Sequence, residues 1–265
     1  MNRFVIKIGT GCIINKDFSV NYRVIKNLID QIYKLKKNGN QVLLITSGAL
    51  GCGKAICSKI NQNTQYTRHT LAALGQVELM KHYDKYCKKK HLNVCQFLIN
   101  KNDLIDTLAQ HNILNTLEDC LRYKDTLPIV NENDATAIEG FKFKDNDELT
   151  SLLSRHLKPS RVFFLTSVNG VYKNSKMSDE NLIKSIYIKN KTVEYCDKNI
   201  YCQKCDIEFF ESSALGLGGM KSKVDCCIAI AQNGSYAHIS NANEKNVLFK
   251  IIHKAYGTTF HPEKK

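Results

Sequence analysis

Two lysine sites in this sequence sit where cations are unfavourable. Lys7 lies inside the apolar run Phe4 to Ile8 and is followed directly by Gly9-Thr10-Gly11. A lysine buried in a strand needs an anionic partner, and glycines after a strand let backbone N–H groups approach an anion as a nest. The plain alternative is an edge-strand lysine reaching into solvent. Lys221 and Lys223 flank Ser222 just after Gly216-Leu217-Gly218-Gly219-Met220, where a helical pattern begins. The helix dipole disfavours cations at that end, so lysines there point to a phosphate held at the helix N-terminus.

Two polar clusters offer a different chemistry. Asn131-Glu132-Asn133-Asp134 follows an apolar run, and Asp145-Asn146-Asp147 precedes a helical one. Amides and carboxylates together can accept from an ammonium and donate to a carboxylate, the two groups an amino acid presents. Turn formation is the plain alternative, with Asp147 placed to cap the helix. Ser47-Gly48 through Gly53-Lys54-Ala55 nearly completes a Walker A pattern. Ala55 replaces the hydroxyl residue that would hold Mg²⁺, and no Walker B strand accompanies it, so the segment reads as a Gly-rich anion-binding turn rather than a P-loop.

The elements that must position these residues alternate in type. Strands are expected at 4–8, 42–45, 94–99, 127–130, 162–165, 236–239 and 258–260, and helices around 25–35, 68–90, 113–121, from 148, from 221 and at 244–254. Ile25, Leu28, Ile29, Ile32 and Leu35 fall on one helical face, ended by Gly39. A hairpin is expected around Gly140, and 173–215 is the least regular stretch. Strands alternating with helices predict an α/β fold with a mainly parallel sheet, in which ligands sit at the carboxyl ends of strands. One domain over 1–265 is expected.

Composition excludes several classes. Of 265 residues 43% are hydrophobic, enough for a core, and the formal net charge is +13. The basic residues are spread along the chain without a nucleic-acid signature, so the charge suits a small anionic substrate rather than a dedicated nucleic-acid role. No run is apolar for long enough to span a membrane, and no secretory leader is recognisable. The eleven cysteines, odd in number and scattered, read as free thiols of a cytoplasmic protein. Cys196, Cys202 and Cys205 raise zinc binding as the alternative, which a single C-x-x-C supports only weakly.

Taken together, Lys7-Ile-Gly-Thr10, Thr46-Ser-Gly-Ala49, Ala72-Ala-Leu-Gly-Gln76, Pro128-Ile-Val-Asn-Glu-Asn-Asp134, Asp145-Asn-Asp147, Leu165-Thr166 and Gly216-x-Gly-Gly-Met-x-x-Lys223 resemble the glutamate 5-kinases of the amino acid kinase superfamily. The resemblance runs in order from residue 4 to about 260. It implies a three-layer αβα sandwich with an open, mainly parallel central sheet. It further implies ATP-dependent phosphorylation of the γ-carboxylate of L-glutamate, with Mg²⁺, as the first step of proline biosynthesis. The alternatives are another superfamily kinase, for acetylglutamate or uridylate, or a nucleotide-binding pseudokinase.

By that resemblance Lys7 and Lys223 face the transferring phosphoryl and Asp147 organises them. Ser47, Gly48, Asp134, Asn146 and Asp145 are expected at the glutamate. Gly9 and Gly48 are expected to donate backbone N–H groups to phosphate. Thr10, Thr166, Ser167 and 217–223 (Leu217, Gly218, Gly219, Met220, Lys221, Ser222, Lys223) are expected at the nucleotide. No metal ligand is assigned. A homo-oligomer and a glutamyl-phosphate reductase partner are also implied, while the C-terminal PUA domain of many bacterial members is not expected within these residues. Gly11, Ser167 and Leu217 depart from the usual Ser, Asp and Thr, all in the nucleotide half.

Overall fold

A computed structural model describes residues 1–60, 65–137, 143, 145–173, 177–189, 192–197, 200–203, 219–254 and 256–263. The expected hairpin around Gly140, parts of 173–215, Leu217, Gly218 and Cys205 lie wholly or partly outside these residues, as do the side chains of Cys196 and Cys202.

The strands are β1 (Arg3–Ile8), β2 (Gln41–Ile45), β3 (Asn93–Ile99), β4 (Thr126–Glu132), β5 (Arg161–Thr166), β6 (Val171–Tyr172), β7 (Leu182–Ile183), β8 (Ser185–Lys189), β9 (Thr192–Asp197), β10 (Ile200–Gln203), β11 (Tyr236–Asn241) and β12 (Thr258–His261). Ten of them form one sheet in the order β10-β9-β8-β12-β11-β5-β1-β2-β4-β3. The run from β11 to β3 is parallel throughout, and the antiparallel pairings are confined to the β10–β11 side. β1 therefore lies between β2 and β5, the strand where chain order reverses. Such a switch point opens a crevice at the carboxyl ends of its strands.

The helices are α1 (Thr10–Ile13), α2 (Tyr22–Lys37), α3 (Ala49–Ile60), α4 (Arg68–Lys88), α5 (Thr107–Arg122), α6 (Asn146–Leu157), α7 (Met220–Gln232) and α8 (Val247–Lys254). Strand alternation divides the core in two. Phe4, Ile6 and Ile8 of β1 face Ile25, Leu28, Ile29 and Ile32 of α2 and Leu79 and Tyr83 of α4. Val5 points the other way, into a core with Leu117 and Leu121 of α5, Leu149 and Leu153 of α6, and Val224 and Cys227 of α7. This is the αβα sandwich expected from the sequence. Asn21 caps α2 by accepting from the Val24 N–H at 3.3 Å, and Gly39 follows its end at φ +80°.

One expectation fails here. The Gly-rich stretch after Ser47 is not a turn: only Gly48, at φ +106°, turns the chain, and α3 begins at Ala49. Gly53 serves packing instead. A Cβ on Gly53 would stand 1.9 Å from the Leu71 carbonyl oxygen, and one on Gly75 would stand 1.8 Å from that of Ala49. The two glycines let α3 and α4 touch backbone to backbone.

Candidate active site

The even positions of β1 fill one core, so Lys7, an odd position, points toward α6 and α7. It is 5% exposed. There its Nζ meets Asp147 Oδ1 at 2.5 Å, while Lys223 Nζ from α7 meets Asp147 Oδ2 at 3.1 Å. Asp147 has no exposure at all. Burial pushes its carboxyl upward, but the Lys7 and Lys223 charges outweigh that and hold it below the ordinary carboxylate range. One carboxylate thus fixes two ammonium groups on neighbouring elements, leaving the trio with a net positive charge.

Asp147 is not the helix cap. Asp145 caps α6 by accepting from the N–H groups of Asp147 at 3.0 Å and Glu148 at 3.1 Å, and its other oxygen accepts from Ser222 at 2.9 Å. Capping thereby aims the next two side chains: Asn146 toward β2 and β4, Asp147 toward the lysines. The Asn146 Nδ2 lies within donating distance of the Thr46 carbonyl (2.7 Å), Ser47 Oγ (2.9 Å) and Asn131 Oδ1 (2.8 Å). Its Oδ1 is buried and has no partner among the described residues. That atom is an acceptor waiting for a donor.

A cleft joins these groups. It is lined by residues after β1 (Gly9, Thr10, Gly11, Cys12), after β2 (Ser47, Gly48), at and after β4 (Asn131, Glu132, Asp134), at and after the end of β5 (Thr166, Ser167), and by Lys7, Asp145, Asn146, Asp147 and Lys223. The cleft has about 180 Å³ of internal space. All the expected glutamate residues meet here, as do Lys7, Gly9, Thr10, Thr166, Ser167 and Lys223 from the nucleotide set. Gly219 caps α7, Met220 packs on the core, Lys221 is exposed, and Ser222 binds Asp145, so these four do not line it.

A second correction concerns Gly9. Its N–H donates to the Leu165 carbonyl at 3.1 Å, completing the β1–β5 contact, and is not free for phosphate. The sequence reading also passed over Cys12, Lys54 and Arg68, which line the cleft. Burial pushes the Cys12 thiol up to about 11, with Lys7 and Lys223 opposing only in part. It is a neutral lining group rather than a nucleophile. Lys54, set aside with the P-loop reading, holds its Nζ over the Phe18 ring 5.3 Å from the centroid. Arg68 opens α4 just after the cap Thr67, and nothing in its local sequence signals a cleft.

A resident metal does not fit the described residues. No three His, Cys, Asp or Glu side chains among them converge on one point, and Asp147 is already engaged by two lysines. A divalent ion here would arrive with a nucleotide, held by phosphates and water.

Two buried lysines bridged by one acid, at the switch point of a parallel sheet, make a cationic site of the kind that a phosphate-handling protein needs. The comparisons agree with that class. The amino acid kinase family pattern matches residues 2–241, and the chain belongs to that family. Among its relatives, the glutamate 5-kinase of Prochlorococcus marinus (strain MED4) is 32% identical over 269 residues, 99% of this chain and 71% of that protein. That of Chlorobaculum tepidum is 32% identical over 99% of this chain and 70% of its own length. The Clostridium acetobutylicum glutamate 5-kinase is 30% identical and is covered to 96%. The isopentenyl phosphate kinase of T. acidophilum, solved as a product complex, shares the fold at TM-score 0.66 and 13% identity, over 98% of this chain and 100% of that one. Giardia lamblia carbamate kinase, solved with AMP-PNP, does so at 0.65 and 17%, over 99% of both chains. The chain is a kinase, and no helix among the described residues is long and apolar enough to cross a membrane.

Proposed function

We propose that this kinase transfers the γ-phosphoryl group of ATP to the γ-carboxylate of L-glutamate, giving L-glutamyl 5-phosphate, the first step toward proline. The observation that carries the reading is the Lys7–Asp147–Lys223 trio beside the unpartnered Asn146 Oδ1. The relatives named above point to the same acceptor.

The nucleophile needs no general base, because a carboxylate is already ionised at neutral pH. Catalysis is then in-line positioning and charge stabilisation. Lys7 and Lys223 offset the negative charge on the transferring group from two sides, and Asp147 keeps both ammonium groups in place beforehand. Asn146 Oδ1 and Asp134 accept from the substrate ammonium at the far end, with Ser47 and Asn131 shaping that pocket. Thr166 and Ser167 lie on the donor side. Mg²⁺ enters as part of the donor, and no step is assigned to it. The product is a labile acyl phosphate, so a glutamyl-phosphate reductase is the expected partner.

The test is glutamate-dependent release of ADP from Mg-ATP, with the acyl phosphate trapped as a hydroxamate. Turnover with glutamate, but not with N-acetylglutamate or UMP, is expected. Lys223→Met should lower kcat by about 10²–10³-fold. Turnover with either other acceptor and none with glutamate would overturn the reading.

A further inference from the structure

The amide of Asn146 is oriented by a chain of bonds that begins outside the cleft. The Thr46 carbonyl can only accept, so the atom facing it at 2.7 Å must be the Asn146 nitrogen. The Glu132 backbone N–H can only donate, and it reaches Asn131 Oδ1 at 3.0 Å. Asn131 Nδ2 therefore lies on the opposite side, where it donates to Gln76 Oε1 at 2.9 Å. Side-chain amides are often ambiguous in orientation. Here the two backbone groups settle the orientation of all three.

Gln76 lies on α4 and does not line the cleft of the trio. It borders an adjoining cavity of about 240 Å³ that also touches Ala72, Val77 and Leu98 and shares Glu132 and Asp134 with the cleft. It is 7% exposed, and its Nε2 is buried with no partner among the described residues. A buried donor left unpaired is unfavourable, and an apolar side chain of similar size would remove that penalty. What only the amide contributes is the Oε1 acceptor for Asn131.

We propose that Gln76 is a positioning residue for the phosphoryl acceptor: it holds the Asn131 amide, which holds Asn146 with its free Oδ1 presented to the substrate ammonium. The assignment rests on the acceptor reading above for what Oδ1 binds. The link from Gln76 to Asn146 stands on the geometry alone.

Gln76→Met keeps the size and removes the acceptor, whereas Gln76→Glu keeps an oxygen for Asn131. In Gln76→Met the KM for glutamate should rise about tenfold, as loss of one buried hydrogen bond implies, with the KM for Mg-ATP unchanged. Gln76→Glu should restore most of the glutamate KM. An unchanged glutamate KM in Gln76→Met overturns the proposal. So does an equal rise in both KM values with a lower Tm, which marks a merely structural role. A second readout needs no activity: the side-chain NH₂ resonances of Asn131 and Asn146 in the free protein. Both pairs should shift in Gln76→Met and lie closer to the parent in Gln76→Glu. Pairs that do not move in Gln76→Met overturn the link whatever the acceptor is. A parent silent with glutamate, in which the pairs do move, overturns the acceptor reading and sustains the link.

Discussion

Asp147 carries its charge with no access to water, held by two lysines that are themselves nearly buried. Removing one member of such a group leaves an uncompensated charge, a change that typically destabilises by about 3–5 kcal/mol. Asp147→Asn should show that loss in urea denaturation, together with a fall in kcat of about 10²–10³-fold. A stability within about 1 kcal/mol of the parent would mean that water reaches the lysines. The pH sense follows from the depressed carboxyl. The stability Asp147 contributes is intact above the unfolded value near 3.9 and is lost as pH falls further, through its lower folded value. The Asp147 carboxylate should therefore remain ionised throughout the neutral and mildly acidic range.

The contact between α3 and α4 sets where Ser47 and Gly48 enter the cleft, and it depends on two glycines. Gly75→Ala would place a Cβ against the Ala49 backbone, so a loss of about 3 kcal/mol is expected, the upper end of overpacking effects. Gly51→Ala meets only the Ile14 side chain, at 2.9 Å. That side chain can shift, and about 1 kcal/mol should suffice. Equal losses in chemical denaturation would refute the packing argument. These glycines also show what sequence reading could and could not reach. Gly51 and Gly53 read as a turn because glycine serves both bends and close approach, and only the partner helix distinguishes the two. The strands β1 to β5, β11 and β12 and the faces of α2, α6 and α7 were legible, because burial leaves its period in the apolar residues, whereas β6 to β10 were not. Lys7 and Lys223 were legible as misplaced cations. The engagement of the Gly9 N–H and the path from Gln76 to Asn146 were not, since the first depends on Leu165 and the second on the Gln76–Asn131 bond, partners more than 50 residues apart.

Across the whole molecule, acid sensitivity is expected to start in the middle of the sheet, where β11 lies between β12 and β5. His238 on β11 is 1% exposed and stacks on Phe163, with centroids 5.3 Å apart. Its ring nitrogens face Arg161 at 3.1 Å and Thr259 at 3.0 Å. Burial, followed by the charges of Arg161 and His261, holds its pKa well below the usual value. The unfolded chain thus takes up a proton that the folded one refuses, so stability should decline as pH falls below about 6.5. His238→Phe should flatten the Tm profile between pH 7 and 5, and a profile as steep as the parent's would assign the effect elsewhere. The sheet order has one more consequence, for the chain while it is being made. Of the neighbours of β1, β2 follows it within about 40 residues, whereas β5 and the acid that neutralises Lys7 are synthesised on the order of ten seconds later. During that interval β1 presents an open edge in the nascent protein. A charge facing inward is a known guard against wrong partners at such an edge, and Lys7 supplies one on β1 until Asp147 arrives to neutralise it.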